Sequence, residues 1–265
     1  MLLALEKWLL FHPTPASVSW DPPPSKRVQD IELHLADGTF IHGWWFPTVN
    51  WKPEDGATLY LHGNAGNLSH RGGVAERWQR EMNQAVLMID YAGFGKSGGA
   101  PSEAGCVAAA DAAYDWVVHE RGVSPHQIML YGGSLGGAIA VDLASRHDHR
   151  VLILVNTFAS IPDMASYLFP YAPAGYFVRN KFDSMSKIPL CSRPIFQVHR
   201  TGDGVVPFEQ GKRLFDHAIA RKLFITVQGD AHDEAIADGI YDRFRRFLQE
   251  VETPDEADIT VSGHR

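Results

Sequence analysis

Six short apolar runs recur along the chain, and segments with helical periodicity separate them. None of the runs alternates strictly between polar and apolar residues, so both faces of each are expected to be covered, as in parallel strands with helices on both sides. Repetition of strand and helix with right-handed crossovers therefore predicts an α/β fold with a doubly wound, mostly parallel sheet. The runs are ATLYL (57–61), AVLMI (85–89), QIMLY (127–131), VLILV (151–155), PIFQV (194–198) and KLFITV (222–227).

An antiparallel hairpin is predicted ahead of these strands. Apolar and polar residues alternate over residues 31–35, Asp37-Gly38 supplies a turn, and TFIHGWWF (39–46) supplies the second strand. The expected fold is therefore a mostly parallel sheet with an N-terminal antiparallel hairpin.

The 265 residues suit one α/β unit without an internal repeat. We expect an N-terminal helix and a proline-rich lead-in over residues 1–27, the α/β domain over 28–250, and a flexible acidic tail over 251–265. Residues of about 157–190 are rich in aromatic residues and proline, which predicts a small lid over the carboxyl-terminal edge of the sheet.

Charge and cysteine content narrow the class of partner. The formal charge is −7 and Lys/Arg residues form only short pairs, which argues against nucleic-acid binding and favours a neutral or small substrate. Two cysteines, Cys106 and Cys191, are too few for a disulfide framework or a Cys-rich zinc site, so a cytoplasmic location is expected.

The N-terminus, MLLALEKWLLF, is apolar but is interrupted by Glu6 and Lys7. It is too short to cross a bilayer and lacks the layout of a signal peptide. Its leucines recur at helical spacing, which predicts a helix that either packs on the body or makes a weak, peripheral contact with a membrane surface.

The segment YGGSLGGA contains the pattern G-x-S-x-G over residues 132–136, between the strand QIMLY and the helix-compatible run AIAVDLASRH. A nucleophile at such a sharp strand-to-helix turn needs small residues two positions before and after it, because larger side chains would collide with neighbouring backbone. Ser134 is therefore the candidate nucleophile, and the N–H of Leu135 is expected to point into the same space. The alternative is a glycine-rich turn that carries an incidental serine.

A serine nucleophile needs a base, and the base needs an orienting acid. Asp203 and His232 follow the last two predicted strands, so both are expected at the sheet edge that holds Ser134. Asp163 is the rival acid, and Asp203 alternatively serves only as a turn former before Gly204.

Three further acidic residues flank the candidate base. We expect Asp230, Asp233 and Glu234 to be solvated or to cap the next helix. They are poorly placed to reach the far ring nitrogen of His232 while that ring faces Ser134.

The loop LHGNAGNLS follows the strand ATLYL. An oxyanion hole needs two convergent N–H donors, and this loop is expected to place the backbone N–H of Asn64 opposite Leu135. The alternative is an ordinary Gly/Asn turn.

The segment GFGKSG (93–98) superficially matches nucleotide-binding patterns. A phosphate loop needs a glycine where Asp90 stands, and a dinucleotide site needs an acidic residue after a further strand where this chain is helical. The sequence also contains no HExxH motif, so neither a cofactor nor a metal is expected.

In combination, HGNAGN, DYAGFGKSGGAPSE, YGGSLGG, FDSMSKI, TGDGVVP and AHDE resemble the small-lid serine hydrolases of the bud-emergence type in the α/β-hydrolase superfamily, which are similar to depalmitoylating thioesterases and monoacylglycerol lipases. The resemblance covers about residues 28–250. It implies a triad of Ser134, Asp203 and His232, with the backbones of Asn64 and Leu135 as the oxyanion hole.

Two departures from that family lie beside the candidate site. The chain has His199-Arg200 where the family usually has HG, which adds a charge near the site, and it has Ala231-His232-Asp233 where the family has GHN or GHE. Near the N-terminus, FHPTP is similar to the segment that follows a membrane anchor in family members.

The expected reaction is hydrolysis of a small-molecule ester or thioester with a short to medium acyl group through an acyl-enzyme. Tyr167, Phe169 and Tyr171 are expected either to line the acyl pocket or to pack the lid on the sheet. One rival is a peptidase that uses Asp163 and Asp183 to bind a free amino terminus, and another is a catalytically silent binding module. No feature of the sequence specifies an oligomeric state.

Overall fold

The computed structural model of the protein describes residues 6, 8–168, 175 and 178–253. Phe169, Tyr171 and the acidic tail from residue 254 onward lie outside the described residues.

The strands of the described residues form an eight-stranded sheet and one separate two-stranded pair. In chain order the strands are β1 (His12–Pro13), β2 (Gln29–His34), β3 (Phe40–Phe46), β4 (Ala57–Leu61), β5 (Ala65–Gly66), β6 (Ala85–Ile89), β7 (Ile128–Gly133), β8 (Val151–Val155), β9 (Ile195–Arg200) and β10 (Lys222–Val227). The order in the large sheet is β10-β9-β8-β7-β4-β6-β3-β2, and β1 pairs with β5.

All neighbouring strands from β10 to β6 are parallel, whereas β3 pairs antiparallel with both β6 and β2. The predicted doubly wound, mostly parallel sheet with an N-terminal antiparallel hairpin is thereby confirmed. Four of the six predicted parallel strands have the predicted bounds, and β7 and β9 each begin one residue later than predicted and end two residues later.

Helices cover both faces of this sheet. They are α1 (Gly72–Met82), α2 (Glu103–Asp115), α3 (Leu135–Ala144), α4 (Ile161–Leu168), α5 (Ser184–Lys187), α6 (Phe208–His217) and α7 (Tyr241–Glu252). Side chains of α2, α3 and α6 belong to one hydrophobic cluster, and those of α1 and α7 belong to a second.

The central strand β7 shows why its sequence does not alternate between polar and apolar residues. Leu130 packs in the cluster of α2 and α3, while Met129 and Tyr131 pack in the cluster of α1 and α7. Every residue of β7 is buried because both faces of the strand are covered.

The N-terminal segment is docked on the body of the protein. Residues 6 and 8–10 are helical, and Phe11 is buried with its ring 6.2 Å from that of Phe182. Trp8 is 68% exposed on the outer side. In the part of the chain that the structure describes, no helix is long and apolar enough to cross a membrane.

The segment that the sequence predicts as a lid contacts the core at two phenylalanines. Phe158, which precedes α4, and Phe182, which follows it in the chain, are both buried. Arg213 of α6 lies 3.1 Å from Asp163 of α4, which ties α4 to the body.

Candidate active site

Ser134 lies at the sharp turn between β7 and α3. Its φ is +51° and its ψ is −119°, a region that costs a non-glycine residue of the order of 1–3 kcal/mol. A Cβ atom on Gly132 would overlap the carbonyl group of Gly136, and one on Gly136 would overlap the carbonyl oxygen of Leu61. The two glycines of the motif are therefore required by close backbone contacts around the serine.

Hydrogen bonds to neighbouring strands hold this turn in place. The N–H of Ser134 donates to the carbonyl of Val155 at 2.9 Å, and the Thr157 hydroxyl donates to the carbonyl of Ser134 at 2.7 Å. Ser134 itself is 7% exposed. Among the residues that the structure describes, these hydrogen bonds fix the backbone of Ser134 and not its hydroxyl.

Asp203 and His232 are brought together by the loops after β9 and β10. Nδ1 of His232 lies 2.7 Å from Oδ2 of Asp203. The other oxygen, Oδ1, accepts the N–H groups of Val205 and Val206 at 2.8 and 2.9 Å. Burial acts to raise the pKa of Asp203, but these hydrogen bonds outweigh it and hold the pKa below its usual value.

The rival acid Asp163 has other partners. Its carboxylate accepts the Ser160 hydroxyl at 2.8 Å and pairs with Arg213. The acid beside His232 is thus Asp203.

Ser134 and His232 lie at the same edge of the sheet, after β7 and β10. Within residues 6, 8–168, 175 and 178–253, the hydrogen bonds include none from Oγ of Ser134 to His232. Such bonds often tighten only when substrate binds. With Nδ1 engaged by Asp203, the ring nitrogen left for a proton from a serine is Nε2.

The loop of residues 62–66, here called the oxyanion loop, follows β4. Its Asn64 side chain donates to the carbonyl of Leu10 at 2.8 Å, and the carbonyl of Asn64 accepts the N–H of His12 at 2.8 Å. These groups of Asn64 hold the N-terminal segment against the loop. Leu135, the first residue of α3, has one of the N–H groups that a helix start leaves without an intrahelical partner.

A family model described as an alpha/beta hydrolase fold matches residues 59–177. The Escherichia coli (strain K12) protein YfhR is 33% identical over 84% of this chain and 80% of its own length. Protein bem46 of Schizosaccharomyces pombe is 35% identical over 86% of this chain and 79% of its own length. The chain belongs to the α/β-hydrolase superfamily, with the bem46-type proteins. The resemblance drawn from its motifs is confirmed.

A solved structure has the same fold as this α/β-hydrolase. An esterase from Pyrococcus furiosus superposes with a TM-score of 0.70 at 18% sequence identity, over 92% of this chain and 98% of that one. At this level of identity the likeness concerns the fold.

The loop that carries His232, residues 228–237, is here called the base loop. Hydrogen bonds of the Asn156 side chain connect this loop to β9. The Asn156 side chain donates to the carbonyl of Asp233 at 2.7 Å and accepts the N–H of Arg200 at 3.0 Å. Arg200 in turn lies 2.8 Å from the Asp233 carboxylate. The charge that the sequence adds beside the site at Arg200 is therefore paired.

Glu234 differs from its sequence-based prediction. It neither caps a helix nor lies in solvent: its side chain is 12% exposed and pairs with Arg71, whose Nη2 lies 2.9 Å from Oε1. The prediction was wrong because the partner is 163 residues away in the chain and no local pattern points to it. Asp230, by contrast, is exposed as expected.

Two histidines near the site are structural. His62 is fully buried, and its Nδ1 lies 2.7 Å from the carbonyl of Gly63. His199 is also buried and donates through Nε2 to the carbonyl of Val206 at 3.0 Å. Burial lowers the pKa of His199, which favours its neutral form.

Of the three residues expected to line an acyl pocket, the structure describes Tyr167. It lies at the end of α4 and is 59% exposed. Phe169 and Tyr171 lie outside the described residues, so the pocket expectation stays a prediction.

Both cysteines of this α/β-hydrolase are free and buried. Burial raises the pKa of Cys191 to about 12 and that of Cys106 further, so both thiols stay protonated near neutral pH. Among the residues that the structure describes, no group of three or more His, Cys, Asp or Glu side chains is arranged to hold a metal ion.

Proposed function

We propose that this α/β-hydrolase is a serine hydrolase that cleaves carboxylic esters or thioesters of short to medium acyl groups through an acyl-enzyme. The observation that carries the proposal is the Asp203–His232 hydrogen bond at 2.7 Å, at the same sheet edge as the strained turn of Ser134. Strain of this kind persists only where the surrounding structure imposes it, and it concentrates at functional sites.

In the first half of the reaction, Oγ of Ser134 attacks the carbonyl carbon while Nε2 of His232 takes the hydroxyl proton. Asp203 holds the imidazole through Nδ1–H and stabilises the imidazolium that forms. The N–H groups of Leu135 and Asn64 stabilise the negative charge on the substrate oxygen. The bond to the alcohol or thiol then breaks, and His232 gives its proton to that leaving group.

In the second half, water attacks the acyl-enzyme and His232 again acts as base. The bond between the acyl carbon and Oγ of Ser134 breaks, and the proton returns to the serine. The acid product leaves and the chain is restored without a cofactor.

The rival peptidase activity has weaker support. The two acidic residues that would bind a free amino terminus are both engaged, Asp163 by Arg213 and Asp183 by the N–H of Ser186 at 3.2 Å. A buried acid bonded to a histidine at the same sheet edge as the Ser134 turn also has no role in a silent binding module, which disfavours that alternative.

The test is labelling with a fluorophosphonate probe, followed by hydrolysis of p-nitrophenyl esters of increasing chain length. We expect the wild type to label once and to hydrolyse esters, and Ser134→Ala to do neither. Ser145→Ala, at the opposite end of α3, is the matched control and should keep both properties. A wild type that neither labels nor hydrolyses any ester would refute the proposal, and labelling of Ser134→Ala would refute the choice of nucleophile.

Substrate class is tested with one acyl group presented as an ester, a thioester and an anilide. The proposal predicts turnover of the first two above that of the anilide. Faster turnover of an aminoacyl anilide would instead support the peptidase.

A further inference from the structure

We propose that Glu234 is a positioning residue that couples the oxyanion loop to the base loop through a partly buried ion pair with Arg71. This inference rests on the proposed function, since it assigns the residue that holds the oxyanion loop and the base loop of that site in their relative positions.

On the side of the oxyanion loop, Glu234 binds the residue just before Asn64. The N–H of Gly63 donates to Oε1 of Glu234 at 3.0 Å. A Cβ atom on Gly63 would lie 2.7 Å from that same oxygen and 3.4 Å from Cβ of Ser134. Gly63 is thus in contact with the carboxylate and beside the nucleophile, and its orientation determines where the Asn64 N–H points.

On the side of the base loop, Glu234 stands two residues after His232. Its carbonyl accepts the hydroxyl of Tyr131, and a Cβ atom on Gly133 would lie 2.5 Å from Cγ of Glu234. Gly133 immediately precedes Ser134. Glu234 belongs to the base loop and contacts both the turn of the nucleophile and the oxyanion loop.

The charge of Glu234 is matched within the protein. Nε of Arg71 lies 3.1 Å from Oε1, Nη2 lies 2.9 Å from it, and the Tyr60 hydroxyl donates to Oε2 at 3.1 Å. Burial acts to raise the pKa of Glu234, but the Arg71 guanidinium and the Gly63 N–H outweigh it, so the carboxylate stays ionised.

Neutralisation by Arg71 also has a catalytic consequence. An unpaired carboxylate this close to the oxyanion hole would repel the negative charge that forms on the substrate, and repulsion is strong where water is excluded. Paired with Arg71, Glu234 orients the loop without that penalty. The ion pair thus positions the N–H donor of Asn64 and removes the repulsion that an unpaired carboxylate would exert on the oxyanion.

The test compares Glu234→Gln and Arg71→Lys with the wild type, with turnover counted per fluorophosphonate-labelled site. Glu234→Gln keeps the size of the side chain and removes its charge, whereas Arg71→Lys keeps the charge and loses the two-pronged contact. We expect kcat per labelled site to fall roughly tenfold to a hundredfold in Glu234→Gln, because small displacements of catalytic groups have effects of this size. KM should change by less than about threefold, because a positioning role acts on the transition state.

Asp142→Asn is the matched control. Asp142 is also a mostly buried carboxylate, its side chain 10% exposed, and it pairs with Arg146 and Lys187 near the far end of α3. We expect this variant to lose thermal stability but to keep the wild-type kcat per labelled site.

The two proposals fail in distinguishable ways. A wild type without labelling and ester hydrolysis overturns the proposed function and this inference with it. An active wild type whose kcat is retained per labelled site in both Glu234→Gln and Arg71→Lys overturns the positioning role alone. If Glu234→Gln does not fold, Arg71→Lys decides: a lowered kcat at unchanged KM supports the role, and an unchanged kcat overturns it.

Discussion

Oδ2 of Asp203 lies 2.7 Å from Nδ1 of His232, while the second oxygen of the same carboxylate accepts two backbone N–H groups of the loop that follows. The carboxylate thus both orients the imidazole of His232 and stabilises the turn of residues 203–206. Since the side chain is inaccessible to solvent, the bond to His232 is shielded from competing water.

Replacing Asp203 by asparagine should lower kcat/KM by roughly a thousandfold to ten-thousandfold, because an amide favours the wrong tautomer of the imidazole. Ester hydrolysis near neutral pH measures this. Asp163→Asn is the matched control and should retain activity within about threefold, since Asp163 pairs with Arg213. A larger loss in Asp163→Asn than in Asp203→Asn would show that the acid is misassigned.

Asp203 should also contribute a pH-dependent part of the stability. Its pKa is lowered in the folded protein, so the contribution is complete above the unfolded pKa of about 3.9 and is lost as the pH falls through the lower folded pKa. Thermal unfolding of wild type and Asp203→Asn between about pH 7 and pH 3 should show a Tm difference that shrinks on the acid side. A difference that stays constant below pH 4 would contradict this linkage.

The positive φ at Ser134 should make glycine more stable than alanine at this position. Glycine adopts φ of +51° without a Cβ clash, so Ser134→Gly is expected to exceed Ser134→Ala in free energy of unfolding by about 1 kcal/mol. The same pair of substitutions at Ser145, where φ is −73°, should show the opposite order. Denaturant unfolding measures both, and equal stability of the Ser134 variants would argue against strain at the turn.

Two glycine-to-alanine changes should have opposite effects. Gly136→Ala places a Cβ atom onto the carbonyl oxygen of Leu61 and should destabilise the fold by about 3 kcal/mol or more, or prevent folding. Gly73→Ala in α1 meets nothing within 4 Å and should stabilise by up to about 1 kcal/mol through helix propensity. Thermal unfolding of both variants measures these changes. If Gly136→Ala leaves the Tm unchanged, the turn at Ser134 can relax to accommodate the Cβ atom.

Two glutamates should hold separate parts of the segment that leads back from α4 to the core. Oε1 of Glu6 accepts the N–H groups of Arg179 and Asn180 at 3.1 and 2.8 Å, whereas Glu103 accepts those of Lys181 and Phe182 at 2.6 and 3.0 Å. Each substitution to alanine should therefore speed amide exchange at its own pair of residues by about tenfold, as expected for loss of hydrogen bonds to a charged group.

Hydrogen exchange of the two variants provides reciprocal controls. Glu6→Ala should leave the amides of Lys181 and Phe182 near their wild-type rates, and Glu103→Ala should leave those of Arg179 and Asn180. Uniform acceleration over residues 179–182 in either variant would mean that the four residues open as one unit.

Local sequence pattern was sufficient for most of the sheet. The runs at 57–61, 85–89, 151–155 and 222–227 have the predicted bounds because a strand covered on both faces needs only a short, uninterrupted apolar run. The glycines at 132 and 136 likewise predicted the turn at Ser134, because the close approach of Gly132 to Gly136 is a local property of the backbone.

The contacts around the candidate site depend on tertiary structure and could not be predicted from local sequence pattern. Glu234 was expected to be solvated or to cap the next helix and instead pairs with Arg71, and Asn64 is hydrogen-bonded to Leu10 and His12 of the N-terminal segment. Both contacts join residues that are far apart in the chain, and a polar side chain has many equally suitable partners along a sequence of this length.

The sequence by itself thus determined the α/β-hydrolase fold, the position of the sharp turn at Ser134 and the candidate roles of Ser134, Asp203 and His232. Tertiary structure decided that Asp203 rather than Asp163 is bonded to His232, and that the partly buried Glu234 carboxylate accepts the N–H of Gly63. The physical reason is that strand and turn signals are carried by neighbouring residues, whereas the partner of a buried charge is set by which loops the folded chain brings to one edge of the sheet.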